Sequence, residues 1–134
     1  MTRVGVDTNI LLRLIVNDDP MQRKLAARFV QGLSEERRGY VGLVVLAELF
    51  WTLTSHYRYP RLGAIEALSI IIEAGNLEFE ELEMVIAALR IARVRNADFA
   101  DLLIAGKGVA AGCSHTVTFD RIAAKAVPSM TLLS

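Results

Sequence analysis

Four carboxylates in this chain interrupt or end apolar runs, and any fold it adopts has to accommodate them. Asp7 ends Val4-Gly5-Val6, and Glu48 separates Val44-Val45-Leu46-Ala47 from Leu49-Phe50-Trp51. Asp101 lies inside Phe99-Ala100-Asp101-Leu102-Leu103-Ile104-Ala105, and Asp120 follows His115-Thr116-Val117-Thr118-Phe119. A buried carboxylate is strongly unfavourable unless something compensates its charge. Two solutions exist: a private partner for each acid, or one shared site in which a bound cation neutralises several together. The donors on offer are oxygens, which suits Mg²⁺ or Mn²⁺ rather than zinc.

The segments around these acids set the fold class. Short strands are expected over Arg3–Val6 (buried), Gly39–Val44, Leu77–Phe79, His115–Phe119 and Met130–Leu133. Helical spacing and capping residues predict helices over Ile10–Ile15, Met21–Leu33, Leu46–Tyr57, Arg61–Ala74, Leu82–Val94 and Arg121–Ala126, with another starting at Asn96-Ala97-Asp98 and running to Gly112. Apolar strands alternating with amphipathic helices favour an α/β fold with a parallel sheet covered on both faces. In such folds ligands gather at the carboxyl ends of the strands. Asp7 and Asp120 both fall at strand ends, which is independent support for a shared site.

Length and composition narrow the setting. A chain of 134 residues suits a single domain, 1–134. It is 53% hydrophobic with a mean hydropathy of +0.37, enough for a core and for some apolar surface that belongs to a partner. Net charge is zero, so no global basic field announces nucleic acid. Lysine occurs only at 24, 107 and 125, so arginine, the better bidentate phosphate ligand, dominates the basic set. Cys113 is the single cysteine, which excludes an intrachain disulfide. Signal-peptide features are lacking, and no apolar run reaches the roughly 18 residues of a membrane span. The expectation is a cytoplasmic protein without a membrane segment.

Each acid also has a purely structural reading. Asp7 is placed to cap the helix after it, Glu48 to point outward from a helix edge, and Asp120 to cap Arg121–Ala126. Asp98 and Asp101 are three apart, on one helix face, and match the N-cap and N3 positions of a helix start. Asp101, inside the apolar stripe, has the stronger claim to a site; Asp98 is either a ligand or a cap. Thr118, two residues before Asp120 on the strand, is placed to orient it through a hydroxyl bond.

Taken in order, Val6-Asp7-Thr8-Asn9-Ile10-Leu11-Leu12-Arg13, Val45-Leu46-Ala47-Glu48, Asp98-Phe99-Ala100-Asp101-Leu102-Leu103-Ile104-Ala105 and Thr118-Phe119-Asp120-Arg121 resemble PIN-domain nucleases, and VapC-type toxins of bacterial toxin–antitoxin pairs in particular. The resemblance extends over essentially the whole chain. It implies a three-layer α/β/α sandwich with a mostly parallel central sheet, an acidic pocket binding Mg²⁺ (with Mn²⁺ as a substitute), and hydrolysis of RNA phosphodiesters. It implies a homodimer restrained by a small antitoxin protein. Carried over position by position, Asp7, Glu48, Asp101 and Asp120 match the metal-binding catalytic acids, and Asn9 and Thr118 match polar residues that support the pocket. Asp98 matches an acid present in part of the family.

A neutral chain that binds RNA depends on a local patch. Arg13, Lys107 and Arg121 are the candidate contacts, each of which could equally pair with a site acid or face solvent. The resemblance gives Arg13 another reading: in a VapC-like complex it would lie near where the antitoxin enters. His56 reads as a surface or capping group, His115 is assigned no chemistry, and Trp51 is core or dimer interface. Gly106 and Gly108 interrupt a helix at about 1 kcal/mol each, which implies close packing by a neighbouring element, of this chain or of a second subunit. The apolar stretch Leu68 to Ile72 exceeds one buried stripe and suggests an interface. Two other readings compete: a catalytically silent PIN-like module that binds RNA or a protein partner, and another Mg²⁺-dependent α/β enzyme such as a phosphatase. Asp7-Thr8-Asn9 lacks the second aspartate that aspartate-nucleophile phosphatases carry two residues on, and no phosphate-binding glycine motif is present.

Overall fold

Parallel pairing joins every strand in the computed structural model, which describes Met1–Ser134. The fold is the expected mixture of helices with short parallel strands. The chain divides into two compact units, Met1–Glu81 and Leu82–Ser134.

The first unit contains β1 (Thr2–Gly5), α1 (Thr8–Ile15), α2 (Pro20–Gln31), β2 (Arg37–Val41), α3 (Leu43–Trp51), a turn of π-helix (Thr52–His56), α4 (Arg61–Ile71) and β3 (Leu77–Phe79). Its sheet has the order β1-β2-β3, with Val4 opposite Gly39 and Gly39 opposite Leu77. Leu11, Leu33, Val41, Leu46, Leu49, Leu53, Ile65, Leu68 and Leu77 are buried. Gly39 sits on the central strand because nothing larger fits. An added Cβ would stand 2.7 Å from Leu77 Cδ2 and 3.1 Å from both Leu33 Cδ1 and Val6 Cγ2.

The helix starts in this unit are set by acids. Asp19 caps α2, its Oδ1 accepting from Gln22 N at 3.0 Å, with Pro20 at the first helical position, where its missing N–H costs nothing. The start of α3 is capped from a distance. Gly42 has no side chain to offer, and Glu80 Oε1 accepts from Leu43 N at 2.9 Å. Parallel pairing sets Val41 opposite Phe79 and so carries Glu80 to Gly42.

The second unit contains α5 (Leu82–Val94), α6 (Phe99–Ala110), β4 (Thr116–Thr118), α7 (Arg121–Ala126) and β5 (Met130–Leu132). Strands β4 and β5 pair in parallel, with α7 as the connection between them. Val85, Ala88 and Leu89 of α5 and Phe99, Leu102 and Leu103 of α6 are buried. The close packing expected at the two helix glycines is present. A Cβ on Gly106 would meet Met84 Cγ and Sδ at 3.0 Å, and one on Gly108 would meet Thr116 Oγ1 at 2.8 Å. The neighbours are α5 and β4 of the same unit.

Several expected boundaries shift, each for a physical reason. The first strand is not buried: Thr2, Arg3 and Gly5 are exposed at the sheet edge, and Arg3 Nε donates to Glu78 Oε2 at 2.9 Å. The second strand ends at Val41 rather than Val44, because the Glu80 cap starts α3 at Leu43. Glu48 therefore lies in the middle of α3 rather than in its first turns. The long helix expected to Tyr57 changes to π geometry at Thr52, where Thr54 Oγ1 donates to Phe50 O at 3.0 Å. Trp51 is 64% exposed and is not a core residue, and Ile70 of the Leu68–Ile72 stretch is also exposed. No helix is long and apolar enough to cross a membrane.

The packing around Gly39 makes a direct prediction. Gly39→Ala should lower the unfolding free energy by about 1–2 kcal/mol. Gly75→Ala, with nothing within 4 Å of its Cβ, should change it by less than about 0.5 kcal/mol. Urea denaturation of the two variants checks this, and equal stabilities would show that the Gly39 site is not closely packed.

Candidate active site

In the first unit, one residue links two of the site acids. Asp7 is the extended N-cap of α1, and its Oδ1 accepts from Thr8 N at 2.7 Å. The Thr8 hydroxyl donates in turn to Glu48 Oε1 on α3. Thr8 is the one buried polar side chain in the structure, and Glu48 satisfies it. Its amide therefore holds one acid and its hydroxyl the other. Asn9, at the second position of α1, is exposed and lines a groove with Ile10, Arg13, Gln22 and Phe29.

Arg13 is committed to neighbours in its own unit. Its guanidinium donates to Gln22 Oε1 at 2.8 Å, to Asp18 Oδ1, and to the Tyr57 hydroxyl at 3.5 Å. Tyr57 donates to Asp18 Oδ2 at 2.7 Å, and His56 packs edge-on against its ring. The Tyr57 hydroxyl first, and then the Arg13 guanidinium, hold the Asp18 carboxyl below its usual range, against burial. This network ties the end of α1 to the start of α2 and to the close of the π turn. Arg13 therefore pairs with an acid, but with Asp18 and not with one of the expected site acids.

In the second unit, Asp98 and Asp120 are both helix caps. Asp98 Oδ1 accepts from Asp101 N at 3.0 Å at the start of α6, and Asp120 Oδ1 accepts from Ala123 N at 2.9 Å at the start of α7. Thr118 does support Asp120, but not through its carboxylate. Its hydroxyl oxygen accepts from Asp120 N at 3.0 Å and so fixes the main chain. Asp101 differs from its neighbours. Its carboxylate accepts no hydrogen bond from the protein and is half-buried. Burial first, and then the charges of Asp98 and Asp120, push its pKa upward.

None of the four acids is buried. Asp7, Glu48 and Asp120 are exposed; Val6, Leu46, Leu49 and Phe50 beside them are buried, whereas Val44, Trp51, Val117 and Phe119 are exposed as well. Of the two options open at the outset, the private partner is the one seen at Asp7, Glu48 and Asp120, but not at Asp101. Asp7 and Asp120 have private partners in helix N–H groups, and Asp101 has none. Lys107 on α6 and Arg121 at the start of α7 are exposed and form no ion pair. His115 contacts Ser114 Oγ at 2.8 Å, and neither histidine is hydrogen-bonded to a carboxylate.

Whether these residues suit a divalent cation can be judged from their donors. The set is carboxylate oxygen throughout, the chemistry of hard cations. Each capping aspartate engages only Oδ1 in its cap, leaving Oδ2 free of protein donors. Asp101 stands near two like charges with no donor to relieve it, and a cation would do so. Within each unit, no three His, Cys, Asp or Glu side chains gather into a group that would hold an ion alone. In the second unit the reason is visible: cap bonds direct Asp98 and Asp120 toward helix amides. The donor chemistry fits.

Two residues escaped the sequence reading. Thr8 had a usable signal, because Thr8, Leu11 and Leu12 share the i, i+3, i+4 spacing of one helix face, and they are the buried residues of α1. Glu80 had none, because its role depends on strand register. Among known families, the model of the PIN domain matches residues 4–127. No curated protein matches the chain.

The upward shift at Asp101 has a defined sign. An acid whose pKa rises on folding begins to destabilise the native state as pH climbs through its ordinary value, does so fully above the raised value, and has no effect once both states are protonated. Asp101→Asn should therefore raise the melting temperature at neutral pH, and the gain should shrink as pH falls toward the ordinary value of 3.8. Paired thermal scans across pH check this. A constant difference, or a loss of stability at neutral pH, would remove the unrelieved charge from the account.

Proposed function

The chain belongs to the PIN-domain family, and on that premise we propose that it is a metal-dependent endoribonuclease acting as the toxin of a VapC-type toxin–antitoxin pair. PIN domains are generally nucleases that use divalent metal ions. The observation that carries the reading is Asp101: a half-buried carboxylate without a donor, raised in pKa by burial first and then by the charges of Asp98 and Asp120. Acids with perturbed pKa values cluster at functional sites, and no protein donor accounts for this one.

Asp7 and Glu48 of the first unit and Asp101 and Asp120 of the second are the residues proposed to bind metal, with Mg²⁺ as the natural ion and Mn²⁺ as its substitute. A divalent ion bound by them lowers the pKa of water and neutralises the charge of the scissile phosphate. The rest of the work belongs to the chain. Glu48, held by the Thr8 hydroxyl, would complete the shell of that ion or orient the attacking water. Thr118 fixes the main chain at Asp120, and Asp98 fixes the first turn of α6 that carries Asp101. Asn9 supports the first acid from the exposed face of α1. Lys107 and Arg121 supply cations for backbone phosphates, so binding should weaken with salt. Arg13 shapes the entry between α1 and α2 rather than gripping phosphate.

The same reading includes a homodimer and a small antitoxin partner in the cytoplasm. The exposed Val44 and Trp51 of α3 and Ile70 of α4 support an apolar interface.

Purified protein incubated with total cellular RNA tests the proposal, with Mg²⁺, Mn²⁺ or EDTA and with Asp101→Asn as control. Discrete metal-dependent fragments are expected, slowed at least about 100-fold by the substitution. No cleavage with either metal, by folded protein free of inhibitor, would overturn the reading in favour of a silent module that binds RNA or a protein.

A further inference from the structure

Thr8 is the one buried polar side chain of the protein, and the partner it satisfies is an exposed carboxylate on another helix. A hydroxyl at this place is not needed to start α1, since Asp7 already caps it. Nor is it needed to fill space, since valine has the same shape and no polar group to satisfy. A hydroxyl has a single proton to donate, and here it is given to Glu48 Oε1.

We propose that Thr8 is a positioning residue for the metal site: its hydroxyl fixes the Glu48 carboxylate while its amide fixes Asp7, so that both acids are set before a cation arrives. The proposal rests on the nuclease reading for what the cation then does, but not for whether it binds. A free glutamate on a helix surface samples many rotamers, and a ligand that must be ordered on binding weakens affinity. Glu48 is exposed in the middle of α3, and the Thr8 hydroxyl is its recorded side-chain partner. Neighbouring side chains do little to hold it otherwise: Val44, one turn before, is exposed. Thr8 itself is immobile, locked into the buried face of α1 with Leu11 and Leu12. The rigid partner therefore orders the mobile one. Such a group acts through Glu48 and touches neither RNA nor the reacting atoms.

The test is a double-mutant cycle read by calorimetric Mn²⁺ titration of the full chain, with thermal unfolding in EDTA run alongside. Thr8→Val should weaken Mn²⁺ binding about tenfold, the effect of losing one hydrogen bond to a charged group. Thr8→Ser, which keeps the hydroxyl, should retain the wild-type affinity. In a Glu48→Gln background Thr8→Val should cost no further affinity, because there is no longer a carboxylate to position. If Thr8→Val does not fold, Thr8→Ala takes its place in the cycle, with the same expectation. Unchanged affinity in the variants lacking the hydroxyl, or an equal loss with and without Glu48, overturns the proposal, as does a wild-type protein that binds no Mn²⁺. The nuclease reading fails separately. A protein with the expected Thr8 dependence of Mn²⁺ binding that cuts no RNA upholds the positioning role and removes the proposed function. One that cuts RNA with Mn²⁺ affinity indifferent to Thr8 does the reverse.

Discussion

An α-helix begins with backbone N–H groups that have no partner within the helix, and in this chain carboxylates answer that need. Asp7 serves α1, Asp19 α2, Glu80 α3, Asp98 α6 and Asp120 α7. The same constraint places strand ends, helix starts and acids at the same points along the chain, because a strand leading into a helix passes through the cap. A charge at a helix N-terminus is favoured by the dipole as well as by the hydrogen bond. The acids that end strands are therefore stable where they stand, with or without a ligand.

That shared origin separates the acids into two kinds. The capping ones, Asp7 and Asp120 among the site residues, have a structural reason to exist, and each keeps one oxygen for other work. Glu48 and Asp101 have no such reason. Glu48 sits in the middle of α3, where its recorded partner is the Thr8 hydroxyl, and Asp101 is unpartnered in the first turn of α6. The first unit thus joins a cap acid to a non-capping one through Thr8, and the second sets two cap acids near an unpartnered one. Chemistry is most naturally read from the acids that folding does not explain.

Much of this was legible in the sequence, and the exceptions follow a pattern. Leu77–Phe79, Leu82–Val94 and Arg121–Ala126 form where spacing and flanking residues place them, because their signals are local. The start of α3 was missed because its cap, Glu80, is remote in sequence and reaches Leu43 only through the pairing of β2 with β3. A run such as Val41-Gly42-Leu43-Val44 is apolar in either conformation, so periodicity alone could not decide it. The close approach at Gly106 and Gly108 was readable as an event but not in its partners, Met84 and Thr116. Among the site residues, the acids stood out because charge is conspicuous among leucines and valines. Thr8 did not, since a threonine beside a capping aspartate looks like an ordinary helix start. The engagement of Arg13 by Asp18 and Tyr57 likewise depends on a residue far along the chain.

The central claim is that these particular carboxylates answer to a divalent cation. Paramagnetic broadening of the backbone amide resonances by substoichiometric Mn²⁺ tests it residue by residue. The account predicts selective loss of signal at Asp7, Thr8, Glu48, Asp101 and Asp120, restored by EDTA, with Glu35 and Glu73 unaffected. Broadening spread evenly over all exposed acids, or none at the four site acids, would contradict it.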